Sequence, residues 1–398
     1  MKILVVHNFY QSSSPSGEDV VFKNEVELLR RNGVEVITYT EHNDRIKDYG
    51  LWGRLILPFK NIWSAETYRE LKRLIKKEKP NIAHFHNIWY LISPSAYYVC
   101  REFRIPVIQS IHNQRIFCPK ATIYRDGTIC TLCYKNFFPW PSVKYACYCN
   151  SRLKTAAIAF TLAVHKLMKT WIRYVDTYIV FTKFFRDKFI EWGLPAEKIV
   201  IKPHFVFPDP SPRQSGHGEY GIFIGRLSVE KGIRVLLSAW KTLEKIPLKI
   251  IGSGNLMQEV RMLSKEIPSV QLISSVSRHE LLNLIKGARF LVWPSLGWYE
   301  NFGLVAIEAF ACGVPVIASR IGAMEEIVKD KYTGLLFECG NPKDLADKIK
   351  LMIEHPDKCI EMGKNARAEF EAKYTAEKNF EILMKIYEKV IGSSPNNY

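Results

Sequence analysis

The stretch that decides the fold is Arg289-Phe290-Leu291-Val292-Trp293-Pro294-Ser295-Leu296-Gly297-Trp298-Tyr299-Glu300-Asn301-Phe302-Gly303-Leu304-Val305-Ala306-Ile307-Glu308-Ala309. Its apolar start, Arg289 to Trp293, predicts a buried strand stopped by Pro294, and Asn301 to Cys312 predicts a helix closed by Gly313 and Pro315. A helix begins with unsatisfied N–H groups and a dipole that favours negative charge. Gly303, in the first turn of that helix, would let a phosphate or sugar oxygen approach the backbone. Glu308, farther along, could accept two hydrogen bonds from a diol such as a ribose, and Glu300, on the loop, could reach a sugar hydroxyl. These features point to a nucleotide-sugar site. The same letters also fit an ordinary capped helix with two solvated carboxylates.

Two further clusters bear on the choice. Gly221-Ile222-Phe223-Ile224-Gly225-Arg226-Leu227-Ser228-Val229-Glu230-Lys231-Gly232 reads as a short strand entering a loop with two cations, followed by a helical pattern from Ile233 to Leu243. Arg226 supplies a planar fork and Lys231 a compact charge, so together they can meet one diphosphate and offset the charge on a departing nucleotide. The alternative is a solvated loop. Leu248-Lys249-Ile250-Ile251-Gly252-Ser253-Gly254-Asn255 reads as a strand ending in a glycine turn, a weak signal alone.

Taken together, these clusters resemble the carboxyl-terminal half of glycosyltransferase family four, the retaining transferases of GT-B architecture. The order G-R-L-x-x-x-K-G, G-x-G, E-x(7)-E and G-x-P-V-I-A stands here as Gly225 to Gly232, Gly252 to Gly254, Glu300 to Glu308 and Gly313 to Ala318. Glu326 falls where the family carries a glutamate, although Ala323 departs from the paired glycines usual after Gly322. The resemblance implies an α/β fold of two Rossmann-like doubly wound domains facing a central cleft. It implies transfer of a sugar from a nucleoside diphosphate to a hydroxyl, with the leaving phosphate helping to deprotonate that hydroxyl. It assigns Arg226 and Lys231 to the diphosphate, Glu308 to the ribose, and Glu300 with the Asn301-Phe302-Gly303-Leu304 backbone to the donor sugar, with Gly225, Gly252 and Gly254 lining the site. A catalytic divalent metal is not expected, because no paired aspartates accompany the diphosphate site.

The amino-terminal half alternates strand and helix patterns: Ile3 to Val6, a helix from Glu18 to Asn32 stopped by Gly33, then Val34 to Tyr39. Gly17 lies where the family has a glycine-rich turn. The strands Asn81 to Asn87 and Pro106 to Asn113 both end in His-Asn, and ligands sit at such carboxyl ends. His112 matches the family's histidine beside the donor sugar and is preferred over His84 and His86. The Pro-rich Pro203 to Gly218 reads as a linker and Thr375 to Ile391 as a terminal helix. The expected domains are 1–205 for the acceptor, 206–375 for the nucleotide sugar, and 376–398 for a helix crossing back to the first domain.

With 398 residues, 47% hydrophobic, the chain can bury two sizeable cores, and its net charge of +16 predicts acidic partners without choosing among diphosphates, anionic lipids and nucleic acid. The resemblance sets nucleic acid aside in favour of a nucleotide-sugar donor and a glycan or polyprenyl-linked acceptor. Met1 to Val6 is too short for a signal-peptide core, and no run approaches the ~20 apolar residues of a membrane span, so a cytoplasmic protein is expected, with peripheral contact at the inner face of the membrane as a further option. Leu51 to Trp63 and Ser151 to Tyr174 mix aromatics and cations and fit either interfacial helices or amphipathic core helices. In a Cys-rich insertion at about 118–149, Cys118, Cys130, Cys133 and Cys147 could close a structural zinc site or remain free thiols, and Cys130 to Cys133 has a two-residue gap suited to zinc. An epimerase or phosphorylase on the same scaffold, and a basic nucleic-acid-binding protein, are the alternative functions.

Overall fold

A computed structural model describes residues 1–12, 16–214, 216, 218–243, 245–274, 276–298 and 300–393, leaving aside the side chains of residues 51–56. The chain divides into two compact units. The first comprises Met1–Ile123, Cys130–Lys202 and Phe380–Tyr398, and the second Tyr124–Ile129 and Pro203–Asn379. The division after Lys202 lies three residues before the predicted boundary at 205.

The first unit is built on strands β1 (Lys2–Phe9), β2 (Glu35–His42), β3 (Ile82–Phe85) and β4 (Val107–Ser110). After the short antiparallel hairpin of β5 (Tyr124–Arg125) and β6 (Thr128–Ile129), which belongs to the second unit, come β7 (Thr177–Val180) and β8 (Ile199–Ile201). The sheet order is β2-β1-β3-β4-β7-β8, parallel throughout. Strands buried on both faces read as continuous apolar runs, as Ile3 to Val6 does. The chain order reverses between β1 and β3, and the carboxyl ends flanking such a switch point leave a crevice for ligands. The helix after β1 spans Gly17–Arg31, one residue earlier than predicted. Ser16 caps it, and Asp19 completes a capping box. The two His-Asn pairs lie just past the ends of β3 and β4 rather than within the strands. The terminal helix runs Ala376–Gly392, and its Tyr387 is buried against His84.

The second unit repeats the plan with β9 (Tyr220–Ile224), β10 (Leu248–Ile251), β11 (Val270–Ile273), β12 (Ala288–Trp293), β13 (Val316–Ser319) and β14 (Gly334–Phe337). Its order, β11-β10-β9-β12-β13-β14, is again parallel, with the reversal between β9 and β12. Trp240, Phe290, Phe310 and Phe337 fill its core. The linker reading of Pro203 to Gly218 needs correction. His204, Phe205 and Val206 are buried, the Val206 N–H donates to Tyr374 O (3.2 Å), and Arg367 grips both Asp209 oxygens at 2.8 and 2.7 Å. Apolar side chains and backbone groups that find partners this close leave no free tether. Ser215 and His217 of that stretch lie outside the described residues.

The helix predicted from Asn301 instead spans Leu304–Ala311, so Gly303 is its N-cap and not a residue of its first turn. The cause is steric. Gly303 adopts φ +99°, and a Cβ there would come within 2.1 Å of the Trp293 ring. Only glycine lets the chain turn that tightly over the end of β12. Gly303→Ala is therefore expected to lower the thermal midpoint by several degrees, corresponding to strain of about 1–3 kcal/mol. Gly392→Ala, where nothing lies within 4 Å, should leave it within about 0.5 kcal/mol of wild type. Differential scanning calorimetry of the two variants measures the contrast.

Candidate functional site

In the second unit the loops after β9, β10 and β12 are drawn together at the switch point. The Gly225 N–H donates to Ile251 O (3.0 Å), Leu227 N–H to Ser253 O (2.9 Å), and Leu296 N–H to Glu230 O (2.8 Å). Glycines make these approaches feasible. A Cβ on Gly252 would sit 1.9 Å from Gly225 O, one on Gly254 2.3 Å from Leu227 O, and one on Gly232 1.8 Å from Pro294 O. The three sequence clusters thus form one surface. Lys231 pairs with Glu300, which also accepts from Ser295 Oγ at 3.0 Å, and Arg226 on the same loop as Lys231 is exposed. Asn301 and Phe302 are buried just before the Gly303 cap.

Glu308 is buried on the helix beyond Gly303. Burial raises its carboxyl above the usual range, opposed by the charge and hydrogen bond of Arg278, whose Nη1 lies 2.5 Å away. Arg278 was missed in the sequence. The usable signal was the capping box of Ser277 and Glu280, which fixes a helix start and places Arg278 at its first position. Glu326 is exposed on the short helix Ala323–Ile327.

In the first unit the sequence-predicted His112 joins a buried chain of polar groups. His86 Nδ1 lies 3.0 Å from His112 Nε2, and His86 Nε2 lies 3.1 Å from Glu25 Oε1. The other Glu25 oxygen accepts from Lys202 Nζ at 2.7 Å. A carboxylate only accepts, so His86 carries its proton on Nε2. Its Nδ1 then accepts from His112, which fixes the Nε2–H tautomer of that ring. Burial would push Glu25 up, but Lys202 and then His84 and His86 outweigh it and hold the carboxyl well below the usual range. His84 is structural: burial lowers its pKa to about 3, and it is bonded to Tyr387 Oη and Ser110 Oγ, both at 2.8 Å. Glu25 was also missed, although an acid among Val21, Phe22, Val26, Leu28 and Leu29 on an apolar helix face was a visible anomaly.

Gly17 lies in the first turn of its helix with ordinary backbone angles. Beside it Glu18 accepts from Asn113 Nδ2 (2.9 Å), and burial raises its carboxyl to about 7. Glu18, His112, Asn113 and Arg115 line a small cavity of about 40 Å³.

The cysteines carry no disulfide, and Cys118, Cys130 and Cys147 surround Cys133 closely enough to add to the effect of burial, which pushes its thiol up to about 12. Among the described residues, however, the one group with ligand atoms all within 4.8 Å of one another is Glu25, His84 and His86, not the sulfurs. In that group Lys202 already neutralises the carboxylate. The four sulfurs are not gathered as a tetrahedral zinc would require, and no step is assigned to a metal.

Two parallel-sheet units, each with a polar cluster at its switch point, make the GT-B architecture of glycosyltransferases. Residues 15–209 match the family model described as Glycosyltransferase Family 4, and residues 211–369 match the one described as Glycosyl transferases group 1. The chain belongs to glycosyltransferase family four. It is 35% identical over 177 residues to the uncharacterized glycosyltransferase MJ1178 of Methanocaldococcus jannaschii, covering 44% of this chain and 49% of that protein. The chain thus spans about half the length of the curated relatives it matches. A glycosyltransferase from Rickettsia africae shares the fold with a TM-score of 0.69 at 16% identity, over 99% of both chains. Anabaena Alr3699/HepE in complex with UDP-glucose does so with a TM-score of 0.64 at 17% identity, over 98% of this chain and all of that one.

The Glu308–Arg278 pair yields a pH prediction. An acid whose folded pKa is raised binds protons more tightly when folded, so stability is greatest below its unfolded value and falls as pH rises through the window above it. Arg278→Ala removes the group that counteracts the rise. The variant is expected to lose more stability at pH 8 than at pH 5, read from denaturant unfolding at both pH values. An equal loss at the two would refute the assignment.

Proposed function

We propose that this chain is a retaining hexosyltransferase that moves a sugar from a nucleoside diphosphate to a hydroxyl of a glycan or polyprenyl-linked acceptor, in the assembly of a surface polysaccharide. The observation that carries the reading is the Lys231–Glu300 ion pair beside exposed Arg226 at the switch point of the second unit, with Glu308 buried on the adjoining helix. A cation and an acid held together in this way form a site charged for both ends of a sugar nucleotide.

In this reading Arg226 and Lys231 take the diphosphate oxygens and offset the charge that builds as the bond to the anomeric carbon breaks. As Lys231 turns toward phosphate, Glu300 is released to accept a donor-sugar hydroxyl. The backbone at Asn301, Phe302, Gly303 and Leu304, with Gly225, Gly252 and Gly254, lets the donor lie close to the chain. Glu308, oriented by Arg278, accepts from the ribose. His112, its tautomer set by His86, contacts the reacting sugar, and Gly17 borders the donor. The acceptor oxygen bonds to the anomeric carbon on the face the phosphate leaves, and its proton passes to the departing diphosphate, so no protein nucleophile is required. The UDP-glucose in the Anabaena relative supports uridine donors as the first to test.

Against a panel of nucleotide sugars, at least one is expected to raise the unfolding temperature, as a ligand bound to the folded state must. Lys231→Ala and Glu308→Ala should abolish that shift and cut sugar transfer by about 10²-fold or more. The product from an α-linked donor should be α-linked by NMR. If no sugar nucleotide stabilises the protein, or the Glu308→Ala variant binds like wild type, the reading fails.

A further inference from the structure

Helix Arg152–Leu167 has two apolar faces, and the fold uses one. Ile158, Ala159, Leu162 and Ala163 are buried, whereas Leu153, Phe160 and Leu167 are 83%, 54% and 71% exposed. Those three recur at seven-residue intervals and so form a single stripe along the helix, continued by exposed Met168 and Ile172. An amphipathic helix serving only a core would place polar residues there.

The helices Trp140–Lys144 and Leu51–Ile62 pack against this one and add bulky exposed side chains: Trp140 and Phe59 are each 68% exposed. The charge is one-sided. From Gly127 to Val175 there is no Asp or Glu, against seven Lys and Arg. Arg152, Lys154, Lys166 and Lys169 are exposed around the stripe.

The geometry points to this face of the first unit as a docking surface for an anionic lipid bilayer, with the stripe and aromatic side chains entering the headgroup boundary and the cations pairing with lipid phosphates. Charge complementarity selects the occupant. A second copy would bring the same cations and no acids against this face, whereas an acidic bilayer attracts each of them. No helix among the described residues is long and apolar enough to cross a membrane, so the contact is interfacial. The inference goes beyond the catalytic reading, and its test uses neither donor nor acceptor.

The test is flotation of the full chain with phosphatidylcholine vesicles, with and without phosphatidylglycerol, at low and high salt. Binding is expected only with the anionic lipid, weakened by salt. The triple variant L153S/F160S/L167S should bind at least tenfold more weakly while keeping the wild-type unfolding temperature, because its side chains support no core. K154Q/K166Q/K169Q should lose about tenfold or more at low salt. The inference is overturned if the chain ignores anionic vesicles or if the serine variant floats like wild type. It is likewise overturned if sedimentation shows a dimer that the serine variant abolishes, since the stripe would then be a self-contact.

Discussion

A carboxylate denied water organises the first unit. Glu25 is 1% exposed in a setting where an unpaired charge would cost several kcal/mol, so everything around it is arranged to answer it. Lys202 reaches it from just beyond β8, His86 from beyond β3, and His84 ties the same oxygen to β4 and to the terminal helix through Ser110 and Tyr387. Four segments far apart in sequence are thereby held to one point. The end of this chain, His112, is the side chain whose orientation matters most to the proposed chemistry, so a core interaction and a functional one are continuous.

The second unit reaches the same end by different means. Its loops are fixed by backbone hydrogen bonds and by glycines that let main chains touch where a methyl group would clash. Flesh on those turns would push the β9, β10 and β12 loops apart and separate Lys231 from Glu300. Preorganisation of this kind fixes the backbone of the loops that carry Lys231 and Glu300, so that in the proposed reaction only side chains have to turn.

Much of this was legible in the residues. Continuous apolar runs such as Ile222 to Ile224 and Phe290 to Trp293 announce parallel strands buried on both faces, and glycine, proline and charge in the following loops mark the turns. The spacing of Glu300 and Glu308 survived even though the helix between them starts three residues later than its pattern suggests, because periodicity says nothing about a Trp293 ring beneath Gly303. The partners of Arg278, Glu25 and Lys202 were not legible, for a common reason. Each acts on a residue 30 to 177 positions away, and pairing at that range depends on how the sheet is wound. The burial of Phe205 and Val206 was hidden by the prolines around them, which suggested a tether. The cysteine spacing spoke of metal, but sulfurs close in sequence were not drawn into one shell.

The assignment of Tyr124–Ile129 to the second unit and of Phe380–Tyr398 to the first means that the polypeptide changes unit four times along its length. Neither half is a contiguous gene fragment. Cutting after Lys202 would take from the second unit the hairpin whose Tyr124 ring covers Gly297, and from the first the tyrosine that caps His84. Exchanging one unit between chains of this build therefore has to carry three seams beyond the obvious one.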